Sequence, residues 1–296
     1  MSTSTFGTAK GALPDSPYIP YTFSGNNLTL NSGFNLAMNA DGDITLNGLV
    51  NAGTGNVTLI SGGAIVNGMG SATSIIAASL AAYAANGIGS SDPRDPLMTE
   101  VHNITAVNTT SNNIDIDNVG VLNVIGLSNG GTGNVLLQNI GGITTYENTV
   151  TSSGGTVSIT AHSPLTIGSG GVSAYGSISL ATSGSSNLTI AGNIASSNGN
   201  ISLMAPGGSI AVSPGVSLSA PNGTVTLNAG TSTVDLSVVG NNAATDNTVS
   251  SLITAMGAIT SDESGDDEDA RKKKNKEGGE QKTDEKKMDD DKKYCN

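Results

Sequence analysis

Two pairs of aspartates are spaced so that they could act together. Asp115 and Asp117 flank Ile116, and Asp41 and Asp43 flank Gly42. In an extended strand, residues i and i+2 point to the same face, so each pair would hold two carboxylates side by side. Such a pair can run general acid–base chemistry when its environment pushes the two pKa values apart. An outward strand face is also where solvated charge belongs, and both pairs are read that way. His102 and His162 stand alone, with no partner at metal-ligand spacing, and are read as loop or surface histidines. Cys295 is the sole cysteine, which leaves no disulfide framework and no Cys-based zinc site. Its thiol is open to an intermolecular disulfide or to anchoring a tail.

Seven Asn-x-Ser/Thr sequons, at Asn27, Asn56, Asn103, Asn108, Asn187, Asn200 and Asn222, are open to glycosylation. In a chain this rich in Asn, Ser and Thr, chance alone supplies several of them.

Charge narrows the function classes. Only Lys10 and Arg94 are cationic in the first 260 residues, against eleven carboxylates; the other ten Lys and Arg lie between Arg271 and Lys293. A body this poor in cations cannot neutralise phosphates, which argues against nucleic acid, and its sign is wrong for anionic lipid. An acidic polysaccharide would find few cations to hold it. No apolar run approaches the roughly 18 residues of a membrane span, and residues 1–10 lack the basic and apolar blocks of an export signal. The glycine-rich stretches carry neither a Walker lysine nor the calcium-binding nonapeptide. No catalytic, cofactor or metal residue is assigned, and the chain is read as non-enzymatic.

The elements that must position these groups follow from a repeat. A unit of glycine, small polar residue, Val or Ile, any residue, then Leu or Ile occurs at Gly42–Leu46 and Gly55–Leu59. It recurs at Gly133–Leu137, Gly155–Ile159, Gly176–Leu180, Gly199–Leu203 and Gly223–Leu227, with spacings of 22, 21, 23 and 24 residues. Inside each unit apolar residues alternate with polar ones, the period of a strand, and the leading glycine is expected to supply a turn conformation. Lesser units such as Leu165-Thr166-Ile167 and Leu188-Thr189-Ile190 lie between. Strands this short suit a solenoid better than a sandwich: each pairs in parallel with its counterpart one coil away, and the inward Val, Ile and Leu stack into one core.

The expected fold is therefore all-β, a right-handed parallel β-helix of about ten coils over residues 26–240. An irregular segment (1–25) precedes it. A short helix or cap (241–260), built on Val249, Leu252, Ile253 and Met256, and a disordered charged tail (261–296) follow it. Between Ser74 and Asn86, Ile76, Leu80 and Tyr83 have helical spacing, while Ile76, Ala78, Leu80, Ala82 and Ala84 alternate. The neighbouring strands favour a strand there.

Ala85-Asn86-Gly87-Ile88-Gly89, then Asp95-Pro96-Leu97 and Ile104-Thr105-Ala106-Val107-Asn108-Thr109, together with the Gly-Asn-Ile-Ser-Leu units and a charged tail closing on Tyr294-Cys295-Asn296, resemble filamentous-haemagglutinin-like exoproteins of two-partner secretion, the group that includes the high-molecular-weight adhesins. The resemblance implies a right-handed β-helix, export through an outer-membrane partner pore, and adhesion to a host-cell or surface receptor. It also implies that the chain is the C-terminal part of a larger exoprotein whose secretion domain and signal lie upstream. The favoured function is a secreted or surface-exposed structural or adhesive rod. The stalk of a contact-dependent toxin or haemolysin-type protein, and a carbohydrate-processing β-helix, are the alternatives.

Overall fold

A computed structural model describes residues 21–23, 28–29, 33, 35–89, 95–230 and 234–235. Among them there is no helix, and parallel strands stack as a β-solenoid of about nine coils. The helix or cap expected at 241–260, the charged tail with Cys295, and Asn27 lie outside the described residues.

Each coil has three faces. The first carries Ile44–Leu46, Ile65–Asn67, Ile114–Val119, Val135–Ile140, Val157–Ala161, Ile178–Thr182, Ile201–Ala205 and Val225–Ala229. Its register pairs Ile114 with Val135, Val135 with Val157, Val157 with Ile178, Ile178 with Ile201 and Ile201 with Val225. These are the glycine-led units from Gly133 onward, aligned as their spacing predicts. The unit at Gly55–Leu59 belongs elsewhere, because its strand Asn56–Ser61 pairs with Leu36–Ala40 on the third face. The second face holds Ile143–Thr145, Leu165–Ile167, Leu188–Ile190 and Ile210–Val212. The solenoid also begins earlier than the sequence suggests: Tyr21–Phe23 pairs with Ile44–Leu46, inside the segment read as irregular. Tyr21-Thr22-Phe23 has neither the leading glycine nor the Val, Ile and Leu of the other units, so it gives no repeat signal.

Inward residues form continuous aliphatic columns. Val135, Val157, Ile178 and Ile201 are fully buried and stacked on one another, as are Leu137, Ile159, Leu180 and Leu203. Burying one such side chain contributes about 1.5–3 kcal/mol. The columns end in polar residues at the corners. Asn108 and Asn129 stack across adjacent coils with Asn108 Nδ2 donating to Asn129 Oδ1 at 3.1 Å, and Asn118 Nδ2 donates to Asn139 Oδ1 at 2.9 Å. Asn139 Nδ2 also donates to the carbonyls of Gly120 and Gly142, at 2.8 and 2.9 Å. The amides thus give corner carbonyls a donor, or a second one at Gly142, whose oxygen also accepts the Leu122 N–H.

The small polar residue of the repeat has a specific task. Its side-chain oxygen accepts the backbone N–H of the equivalent residue one coil on: Asn134 to Asn113 Oδ1 at 2.8 Å, Thr156 to Asn134 Oδ1 at 2.9 Å, Asn200 to Ser177 Oγ at 3.1 Å, Thr224 to Asn200 Oδ1 at 2.9 Å. The same bond recurs on the other faces, from Ser209 to Asn187 Oδ1 and from Ser217 to Asn193 Oδ1.

The leading glycine is required for a different reason from the one expected. Gly133, Gly155, Gly176, Gly199 and Gly223 are not among the residues with positive φ. Instead, a Cβ on Gly133 would overlap the carbonyl of Asn112, and one on Gly223 the carbonyl of Gly199. The glycine permits backbone of successive coils to close up, not to bend.

Three strands depart from the pattern. Ile75–Ala84, Leu97–Asn108 and Leu122–Asn129 run through the corner between the second and third faces, at 10, 12 and 8 residues. The strand reading of the alanine-rich stretch holds, but its facing is corrected. Ile75 and Ala77 point inward, Ala78 and Ser79 both lie partly outward, and Leu80, Ala82 and Ala84 point inward again. Rounding the corner breaks the alternation, so Ile76 and Ala78 are not core residues.

Two outcomes follow for stability. Ile201→Asp places a charge in a sealed apolar column and is expected to cost several kcal/mol, whereas Thr226→Asp on the exposed face costs little; thermal melting compares them. Gly133→Ala is expected to cost about 2 kcal/mol or more through overlap with the coil beneath, and a melting temperature equal to that of the parent sinks the close-stacking argument.

Candidate functional site

The Asp115 and Asp117 pair that sequence analysis placed on a solvated face is partly withdrawn from solvent, Asp115 fully and Asp117 by half. Asp115 is 4 % exposed, and Asp115 Oδ2 and Asp117 Oδ1 are buried without a hydrogen-bond partner. The strand Ile114–Val119 explains this. Its inward Ile114 and Ile116 pair with Ile88 and Leu97 of the preceding coil. Backbone at Ile88 and Gly89 therefore lies against Asp115, whose N–H donates to the Ile88 carbonyl at 2.8 Å. On the other side Asp115 aligns with Leu136, and Asp117 sits between Met98 and Gln138.

Burial pushes the Asp115 carboxyl up to about 7, with the charge on Asp117 raising it further, and burial alone pushes Asp117 up. A carboxyl near neutrality can exchange protons, which is the chemistry the spacing suggested. Asp115 is withdrawn from solvent and Asp117 is half-buried, and neither lines the concavity described below. Asp41 and Asp43 are exposed, as expected of solvated charge, and Asp43 Oδ1 accepts the Ala64 N–H at 2.7 Å. His102 and His162 are exposed and far apart in the coil order. Among the described residues no three His, Cys, Asp or Glu side chains gather as a metal site would require.

The sequons divide by location. Asn56, Asn187, Asn200 and Asn222 are exposed. Asn108 is fully buried, its Nδ2 facing the carbonyls of Ser111 and Asn112 and its Oδ1 accepting the Gly87 N–H at 2.7 Å. A glycan at Asn108 is incompatible with this fold, because its attachment atom is a core hydrogen-bond donor. Asn187 and Asn200 have structural work in binding the next coil, which accounts for asparagine there without any modification.

A feature the sequence did not disclose lies on the fused strands. Asn56, Thr58, Ser79, Ala81, Asn103 and Thr105 line a concavity of about 380 Å³ on the third face, with Ile125 closing one side. Ile125 is there because a bulge between Val124 and Gly126 inserts it into the register with Leu97–Asn108. Along one edge runs a hydrogen-bonded track across four coils. Tyr146 Oη donates to Asn123 Oδ1 at 3.2 Å, Asn123 Nδ2 to Asn103 Oδ1 at 3.1 Å, and Asn103 Nδ2 to Ser79 Oγ at 3.2 Å. Only the alignment of these positions across coils, invisible without the register, could have found the track.

Comparison with protein-family models, curated proteins and solved structures finds no match to this chain. No helix among the described residues is long and apolar enough to cross a membrane.

The raised Asp115 pKa sets the sign of a pH effect. A folded-state pKa above the unfolded value of about 3.9 stabilises the fold below that value, and the contribution is lost as pH rises toward 7. Unfolding midpoints in urea are expected to fall between pH 4 and pH 7.5. Asp115→Asn should flatten that slope and gain on the order of 1–2 kcal/mol at pH 8. An unchanged slope in the variant means that Asp115 is not the titrating group.

Proposed function

We propose that this chain is a structural and adhesive solenoid of a secreted or surface-exposed bacterial protein, serving as a rod that presents its lateral faces to a receptor. The observation that carries the reading is the division of labour between inside and outside. Aliphatic columns and buried amides maintain the coil stack, while the third face presents Thr, Ser, Asn and Tyr in register from coil to coil. A scaffold whose stability is repeated coil by coil can be lengthened without redesign, as suits a protein that must hold a binding surface away from its anchor.

The sequence resemblance to filamentous-haemagglutinin-like exoproteins supports the same reading and would make an outer-membrane pore the export partner. A carbohydrate-processing role is less well supported, since in the carboxylate pair with raised pKa values Asp115 is buried between coils and Asp117 half-buried.

Latex beads coated with the full chain are expected to adhere to cultured epithelial cells several-fold more than albumin-coated beads. Adherence at the albumin level sinks the adhesive reading. Release of new reducing ends or unsaturated products from pectate or alginate by the same protein would favour the enzymatic alternative.

A further inference from the structure

The concavity on the third face has a composition that selects among ligands. Its outward lining is amide, hydroxyl and methyl: Asn56, Asn103, Thr58, Thr105, Ser79 and Ala81. No ionisable side chain is among the lining residues. Glu100 and His102, on the same strand as Asn103, stand exposed just before it. An anionic ligand would find no cation in the lining and a carboxylate nearby, so charge argues for an uncharged occupant.

The backbone narrows the choice further. The strands beneath the concavity, Asn56–Ser61, Ile75–Ala84, Leu97–Asn108 and Leu122–Asn129, are paired with one another in consecutive order. Their N–H and C=O groups are committed to the ladder, so an extended peptide cannot add to this face as another strand. Recognition must come from side chains. Those of Asn103 and Asn123 are already oriented by the Tyr146–Asn123–Asn103–Ser79 track, and oriented amides need little ordering on binding.

Across the concavity from that track lies an apolar ladder. Ile60, Tyr83 and Val107 are aligned on three adjacent strands, with the Tyr83 ring 40 % exposed one pleat beyond Ala81. Amides and hydroxyls on one side with an aromatic ring on the other match the two kinds of surface on a sugar, hydroxyl edges and C–H faces. Adjacent strands offer an amide or hydroxyl about every 4.8 Å along the coil axis through Asn56, Ser79 and Asn103, so a polymer with a hydroxyl-bearing repeat can meet them in succession.

We propose that this concavity binds an uncharged oligosaccharide, held by the amides of Asn103 and Asn123 and packed against Tyr83. The inference rests on the adhesive reading and names the receptor chemistry for it.

The test is calorimetric titration of the full chain with cellohexaose, chitohexaose, mannohexaose and maltohexaose, with heparin as the charged comparison. At least one neutral hexasaccharide is expected to bind with an affinity that changes little between about 50 and about 500 mM salt, a range over which the screening length falls and charge contacts weaken. Tyr83→Ala should weaken that binding at least about tenfold, and Ala81→Trp should abolish it by filling the concavity. Thr226→Trp, on the exposed first face of the last described coil, should leave it unchanged. Where Ala81→Trp lowers the melting temperature, Thr105→Trp and the exposed Tyr83→Ala carry the comparison.

No binding by any neutral hexasaccharide, binding of heparin alone, binding unaffected by Tyr83→Ala, or a dimer that buries this face overturns the proposal. The bead assay separates the two readings. Adhesion that persists in Ala81→Trp removes the concavity as receptor site and leaves the adhesive rod standing, whereas no adhesion by the parent chain removes the rod reading itself.

Discussion

Parallel pairing between coils, at a register that never slips by one residue along the first face, is the constraint from which most other features follow. A one-residue slip would turn every inward Val, Ile and Leu to solvent. The register is held twice over. Ladder hydrogen bonds run along the strands, and just before many strands an Asn, Ser or Asp side chain accepts the N–H of its counterpart on the next coil. Because successive coils sit directly over one another, each position meets its own equivalent, and repeated like charges would be stacked at strand spacing. The scarcity of Lys, Arg, Asp and Glu in the first 260 residues is the compositional trace of that geometry.

Close stacking also explains how polar residues enter the core without weakening it. Asn108, Asn118, Asn129 and Asn139 are all at most 1 % exposed, and each has amide hydrogens directed at carbonyls or at the next asparagine. A buried amide with every partner in place costs little, while one left unpaired would be expensive. The orphaned oxygens of Asp115 and Asp117 show the contrast: one oxygen of each carboxylate is covered without a hydrogen-bond partner, and burial raises both pKa values.

The same region breaks the three-faced symmetry. Where Ile75–Ala84, Leu97–Asn108 and Leu122–Asn129 run through a corner, two faces merge, and the outward side chains there are set by the bulge at Ile125 and by Ala78 and Ser79 both facing out. Regular coils repeat one surface; the irregular ones make a surface found at a single height of the solenoid. The hydrogen-bonded amide track beside the concavity lies on that surface.

The sequence by itself determined the all-β solenoid, the pairing of its glycine-led units and the facing of residues such as Ile201, because a period-two pattern repeated every 21 to 24 residues admits few other ways to bury its apolar half. It also placed a strand across the alanine-rich stretch. Tertiary structure decided what depends on neighbours from other coils. Whether Asp115 is solvated depends on the chain at Ile88 and Gly89, whether Asn108 is a sequon or a core donor depends on Asn129 and the corner carbonyls, and why Gly133 must be glycine depends on the Asn112 carbonyl beneath it. Local pattern reports the face a residue takes along its own strand. What stands over that residue is set by the register between coils, some twenty residues away in the chain, which no local pattern contains.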